Sequence, residues 1–327
     1  MPELAVDIIR SIALMLLLLT GMAYMTLFER RVISRMQVRL GPNRTGPSGL
    51  LQPLADALKL FFKEDIAPAA ADGLLYPIAP ALALVAALAS FAVIPVGPPL
   101  NVGGTFIEPQ IVELPVSLLY LIGASSLGVY GIVFGGWASG SKYSLLGGLR
   151  AAAQVVSYEL VLGLALVGVV MISGTVALGG IVEGQARSVW YILLQPLGFI
   201  LYFVAAVAEV NRAPFDLPEA ETELVAGYHT EYSGMRFAMY YIAEYVNMIT
   251  VSAVAATLFL GGWLGPFLPG PHWLLLKMLA FLFLFVWLRA TLPRLRYDQL
   301  MWLSWSVLLP LGLLNVVLTA LAVTAFG

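Results

Sequence analysis

The chain has no cysteine and only two histidines, His229 and His272, in 327 residues. Without cysteine there is no disulfide, no thiolate zinc site and no cysteine-ligated iron–sulfur cluster. Two imidazoles so far apart supply neither a metal triad nor haem ligation, so no metal is expected here. No nucleotide or flavin motif is present either, so any electrons must come from a partner. Charge is scarce as well, at 11% of residues with a net value of −2, which gives no basic surface for nucleic acid.

What is abundant is hydrocarbon. The chain is 60% hydrophobic with a mean hydropathy of +0.91. Stretches free of Asp, Glu, Lys and Arg cover 11–28, 74–107, 114–141, 160–182, 188–208, 245–276 and 299–327, and most exceed the roughly 20 residues that a membrane span requires. An eighth apolar segment, about 273–290, carries only Lys277 and Arg289 near its ends. The reading is an all-α polytopic membrane protein, 1–327 forming a single membrane domain. Eight transmembrane helices are expected at about 8–28, 75–97, 113–134, 151–175, 189–209, 237–260, 273–290 and 300–325. The first is read as a retained helix rather than a secretion signal, because Glu3 and Asp7 precede it and Glu29-Arg30-Arg31 closes it.

Fourteen of the 17 basic residues lie in the connections after helices one, three, five and seven, which the positive-inside rule assigns to the cytoplasm. Both termini are then on the outer side. The outer connections are short, apolar and rich in Gly and Pro. The cytoplasmic connections 29–72 and 210–236 are long and polar, and function is expected there. Within the first, LLQPLADALKLFFKED (50–65) spaces Leu51, Leu54, Leu58, Phe61 and Phe62 at helical intervals, predicting an interfacial amphipathic helix over about 50–63. A plain membrane-surface anchor would satisfy the same periodicity.

The stretch 208–245, around the second connection, concentrates acid: Glu209, Asp216, Glu219, Glu221, Glu223, Glu231 and Glu244 are seven of the chain's 19 carboxylates. Asp216-Leu217-Pro218-Glu219 has the spacing of a capping box, and capping alone would account for Asp216. It does not account for Glu219 and Glu223, which share a helical face where like charges oppose each other's ionisation. Glu209 and Glu244 fall just inside the ends of helices five and six, and Glu159 about two turns into helix four. Charge facing lipid is costly, so these three should face the bundle. An ion pair with Arg212, Arg236 or Arg150 is the alternative reading.

Four stretches carry a resemblance: ERRVISRMQVRLGPNRTGPSGLLQPLADALKLFFKED (29–65), AAAQVVSYEL (151–160), AEVNRAPFDLPEAETELVAGYHTEYSGMRFAMYYIAEY (208–245) and RATLPRLRYDQL (289–300). In order and spacing they resemble the family of quinone-site membrane subunits of proton-pumping NADH:quinone oxidoreductase, bacterial respiratory complex I, over nearly the whole chain. The resemblance implies a membrane subunit, not catalytic alone, under the peripheral redox arm on the cytoplasmic face and beside antiporter-like membrane subunits. FMN and iron–sulfur clusters would lie in those partners, with quinone as substrate. It moves Arg35, Gln37, Arg39, Asp56, Lys59 and Phe62 toward the lining of a quinone chamber, joined by Arg212, Phe215, Phe237, Arg289 and Arg296. It makes Glu159, Glu209, Asp216, Glu219, Glu221, Glu223, Glu231 and Glu244 the start of a proton-coupling channel.

Three rivals stand beside this reading. A related energy-converting hydrogenase or ferredoxin-linked subunit would share the fold, and the full LGPNRTGPSGLLQPLADALKLFFKED stretch weighs against it. A stand-alone cation transporter would show internal repeats and polarity at mid-membrane, and the sequence shows neither. A purely structural anchor leaves the buried acids unexplained. The Ala, Gly and Leu-rich composition fits a bacterial cytoplasmic (inner) membrane.

Overall fold

The computed structural model describes residues 2–102, 105–107, 109–217 and 225–326. It is a helical bundle with six helices long and apolar enough to cross a membrane and two shorter apolar ones, in the eight places the sequence predicts. The long ones are Pro2–Met36 (α1), Ser117–Ala138 (α4), Lys142–Ser173 (α5), Gly234–Phe259 (α9), Pro271–Thr291 (α10) and Tyr297–Ala325 (α11). The shorter two are Leu75–Phe91 (α3) and Pro196–Glu209 (α8). The amphipathic helix forms over Gln52–Phe62 (α2) with none of its residues buried in the bundle. Leu178–Arg187 (α6) and Tyr191–Leu194 (α7) are the remaining α-helices among the described residues, and Leu100–Val102 pairs antiparallel with Thr105–Ile107 as a short ribbon.

Helix ends depart from the uncharged runs for a physical reason. A run marks where hydrocarbon stops, not where hydrogen bonding stops. The chain beyond Phe28 reads ERRVISRM, without Gly or Pro, so α1 continues to Met36 and reaches about 52 Å in all. Glu29 therefore lies inside a helix. Likewise α5 begins at Lys142, and Glu159 sits near its middle rather than two turns in. The fifth span is broken at Gln195, where Pro196 cannot donate to the helical ladder.

Nearest the centre is α9, with 83% of its most apolar window buried. It packs on α3, which packs most closely on α4. Small residues permit that approach: a Cβ at Gly131 would lie 2.8 Å from Ala83 N, and one at Gly135 would collide with Tyr240 Oη. Tyr240 instead donates to the Gly131 carbonyl at 3.0 Å.

One end of the bundle gathers the connections 37–72, 210–217 and 225–233. There Arg236 pairs with Asp65 at 3.1 Å, the Ile66 N–H donates to Ser233 Oγ at 2.9 Å, and the Tyr76 and Tyr232 rings stack at 4.2 Å. These contacts fasten the two long connections to each other. At the opposite end, the Lys277 ammonium donates to the carbonyls of Leu260, Gly262 and Leu264, at 2.5, 2.8 and 2.6 Å, and lies 4.8 Å from the Trp190 ring centroid. That grip closes the chain reversal between α9 and α10.

Candidate functional site

Two cavities lie at the charged end, one between α1, α2 and α9 and the other between α1, the segment 37–42, α9 and the end of α10. One, about 530 Å³, is walled by Leu54, Leu58, Phe61, Phe237 and Ile242, with Asp56 and Lys59 among its lining. It is a mostly apolar slot, as the alternation of Leu and Phe on α2 makes it. The other, about 700 Å³, is polar and is lined by Glu29, Ser34, Gln37, Arg39, Tyr245 and Arg289. Arg30 and Tyr241 line both, so the slot and the polar chamber adjoin. Arg30 is held at that junction by Asp56 at 2.6 Å, and Arg39 donates to Gln37 at 2.7 Å.

The floor of the chamber is a charge cluster built from four distant parts of the chain. Glu29, only 3% exposed, accepts from Arg289, from the Tyr245 hydroxyl and from Arg212 at 3.2 Å. Arg212 also pairs through Nε with Glu244 at 2.7 Å and lies 4.5 Å over the Tyr245 ring. Two guanidinium groups thus face two carboxylates, the balance that makes burial of so much charge tolerable. Burial disfavours the Arg212 cation, but Glu244 and Glu29 outweigh it and hold the guanidinium above its ordinary range. Tyr241 and Tyr245 share a hydroxyl contact of 2.9 Å beneath the chamber.

Beyond Glu244 the polar groups continue inward. Glu244 and Glu209 border one small cavity of about 50 Å³ together with Asn247. Glu209 at the end of α8 lies beside Ser125 of α4 and faces Glu159 of α5, which lies beside Ser126. The turn after α8 is shaped by Asn211 at φ 54°, a conformation asparagine tolerates, and by Gln154, whose amide reaches the Ala208 and Phe215 carbonyls at 2.8 Å each.

Of the residues singled out in the sequence, Gln37, Arg39, Asp56, Lys59, Phe237 and Arg289 line the two cavities. Arg212 lies in the charge cluster beneath them. Phe215 is buried 5.5 Å from the Tyr158 ring. Arg35 and Phe62 are exposed and Arg296 pairs with Asp298 at 3.2 Å, outside both linings. Glu159, Glu209 and Glu244 come together on the inward path. Asp216 pairs with Arg294 at 2.8 Å, and the Glu231 carbonyl accepts from Tyr76 at 2.7 Å. Glu219, Glu221 and Glu223 lie outside the described residues, and with them the rest of the capping-box reading. Among the described residues, no three His, Cys, Asp or Glu side chains converge as metal ligands.

The residue that sequence reading passed over is Glu29, together with Tyr241 and Tyr245. Its signal was present: a lone acid between an apolar run and a basic flank does nothing for anchoring and needs another use.

A family model described as NADH dehydrogenase matches residues 9–320. The chain is 59% identical to a subunit of the NADH-quinone oxidoreductase of Thermomicrobium roseum, over 98% of this chain and 96% of that one. It is 54% identical to the corresponding NADH-quinone oxidoreductase subunit of Geobacter sulfurreducens, over 94% and 91% respectively, and 52% identical to that of Frankia casuarinae, over 96% and 72%.

Proposed function

The chain belongs to the NADH dehydrogenase family, and from that premise we propose that its two adjoining cavities receive a quinone, tail in the slot and ring in the chamber. It is a multi-pass membrane subunit of an NADH-quinone oxidoreductase, acting within an oxidoreductase complex. The observation that carries the proposal is the sharing of Arg30 and Tyr241 by an apolar slot and a polar chamber, the division of labour that an amphiphilic ligand requires. Asp56 and Lys59 line the slot, while Gln37, Arg39 and Arg289 offer donors in the chamber. Electrons would reach the ring from a partner holding FMN and iron–sulfur clusters.

The coupling path would start at the chamber floor. A change of charge on the ring acts on Glu29, Glu29 shares Arg212 with Glu244, Glu244 meets Glu209 across the inward cavity, and Glu209 faces Glu159. Glu219, Glu221 and Glu223 are proposed to join this path from the acidic connection. The charged end is proposed to face the cytoplasm of a bacterial inner membrane, with both termini outside. Val38, Leu40 and Phe62 are 94%, 88% and 80% exposed there, which supports cover by the peripheral partner, with antiporter-like subunits alongside.

The test is quinone kinetics in the assembled complex. Ala57→Trp, which fills the slot, should raise the KM for a long-tailed quinone about tenfold and leave a short-tailed one nearly unchanged. Equal kinetics with both would remove the slot from the reading.

A further inference from the structure

Two small cavities meet at Glu209. The first, already described between Glu244 and Glu209, has a neighbour of about 20 Å³ lined by Ser90, Thr250 and Val254. Ser125, Glu209 and Asn247 line both.

Hydroxyls on helices ordinarily turn back to the carbonyl one turn earlier. Ser90 does so to Ala86, Ser252 to Met248 and Thr257 to Ala253, at 2.8, 2.7 and 2.8 Å. Thr250, on the same helix as the last two and only 4% exposed, does not. Its Oγ1 meets no hydrogen-bond partner among the described residues. A buried hydroxyl left unpaired is costly, so a side chain held this way needs a ligand of matching chemistry. The space admits only something very small. A site holds a water once it offers about 10–15 Å³ and two or more polar partners, and this one offers both.

We propose that Thr250 and Asn247 form a water-binding site against Glu209. The proposal rests on the relay reading of Glu209. Thr250 is a positioning residue: it fixes a water that solvates the Glu209 carboxylate when ionised. Water in the first cavity then gives one proton to Glu209 and takes one from Glu244, leaving its own composition unchanged. The apolar neighbours Leu121, Leu162 and Val251 keep the site from widening into a channel.

The experiment is a high-resolution map of the complete complex in lipid, with turnover measured on the same preparations. The expected wild-type map shows a water within hydrogen-bond reach of Thr250 Oγ1 and the Glu209 carboxyl. Thr250→Val, equal in shape but without the hydroxyl, should lose that water and slow quinone-linked proton translocation about threefold to tenfold, while Thr250→Ser restores both. A wild-type map without water at Thr250 overturns the proposal whether or not the variants assemble. Full turnover in Thr250→Val overturns it too. These outcomes are separable from failure of the relay itself, which would show as full activity in Glu209→Gln.

Discussion

Arg212 Nε lies 2.7 Å from a carboxylate oxygen of Glu244, joining the turn after α8 to the middle of the bundle. The same guanidinium holds Glu29 and covers the Tyr245 ring, so one planar group serves three contacts at once. A lysine ammonium is a point charge and cannot reproduce that fork.

Arg212→Lys should therefore assemble but lose about tenfold in quinone turnover. Arg212→Leu takes the guanidinium from Glu244 and leaves Glu29 to Arg289 alone, a cost of about 3–5 kcal/mol, and should fail to accumulate in the membrane. Subunit content on native gels beside turnover in proteoliposomes checks both. Normal turnover in the lysine variant would show that the three contacts are dispensable.

Glu209→Gln and Glu159→Gln keep shape while removing the exchangeable proton. Each should lower quinone reduction and proton translocation together by at least about tenfold, the scale of a lost proton-transfer group. Glu→Asp at either position should retain part of both activities. Proton pumping that fell while quinone reduction stayed normal would contradict tight coupling through these residues.

Glu29→Gln should be the most damaging single carboxylate change at the chamber, since it leaves Arg212 and Arg289 facing one charge fewer. Turnover is expected to fall at saturating quinone as well as at low quinone, because the floor is altered rather than the slot. A rise in KM alone, with kcat intact, would assign Glu29 to binding only.

Gly131→Ala should destabilise the subunit by about 1–3 kcal/mol, because its Cβ would meet the Ala83 backbone. Gly163→Ala on α5 is the control: nothing lies within 4 Å of its added Cβ, and it should be neutral or mildly stabilising. Thermal melting of the purified complex compares them. Equal melting would mean that α3 and α4 can separate without loss.

The bundle was legible because hydrocarbon imposes length and apolarity on every span, and the six long and two shorter apolar helices fall where the apolar segments predict them. The extents of α1 and α5 were not, since a helix that leaves the bilayer with good helix formers keeps going. Of the side chains lining the two cavities, Gln37, Arg39, Asp56 and Lys59 were named from pattern and resemblance, whereas Arg30 was not, and Arg35 and Phe62 were named but lie outside both linings. Glu29 was not, because its partners at positions 212, 245 and 289 are remote in sequence and adjacent only after α1, α9 and α10 have packed. Thr250 was hidden for a different cause. A threonine in an apolar helix looks ordinary until its hydroxyl is seen to neglect its own backbone.

Lys277 bears on how the chain is made as well as on how it rests. On the proposed orientation, the α9–α10 hairpin is threaded outward during synthesis, and a bare ammonium in its leading half resists that passage. The three carbonyls that quiet the charge exist only once Leu260–Leu264 has folded back over α10. Closure of that turn is therefore expected to accompany delivery of the hairpin across the bilayer. Glycosylation-site mapping of Gly262→Pro, in which the turn is obstructed, should report hairpins stalled on the inner side.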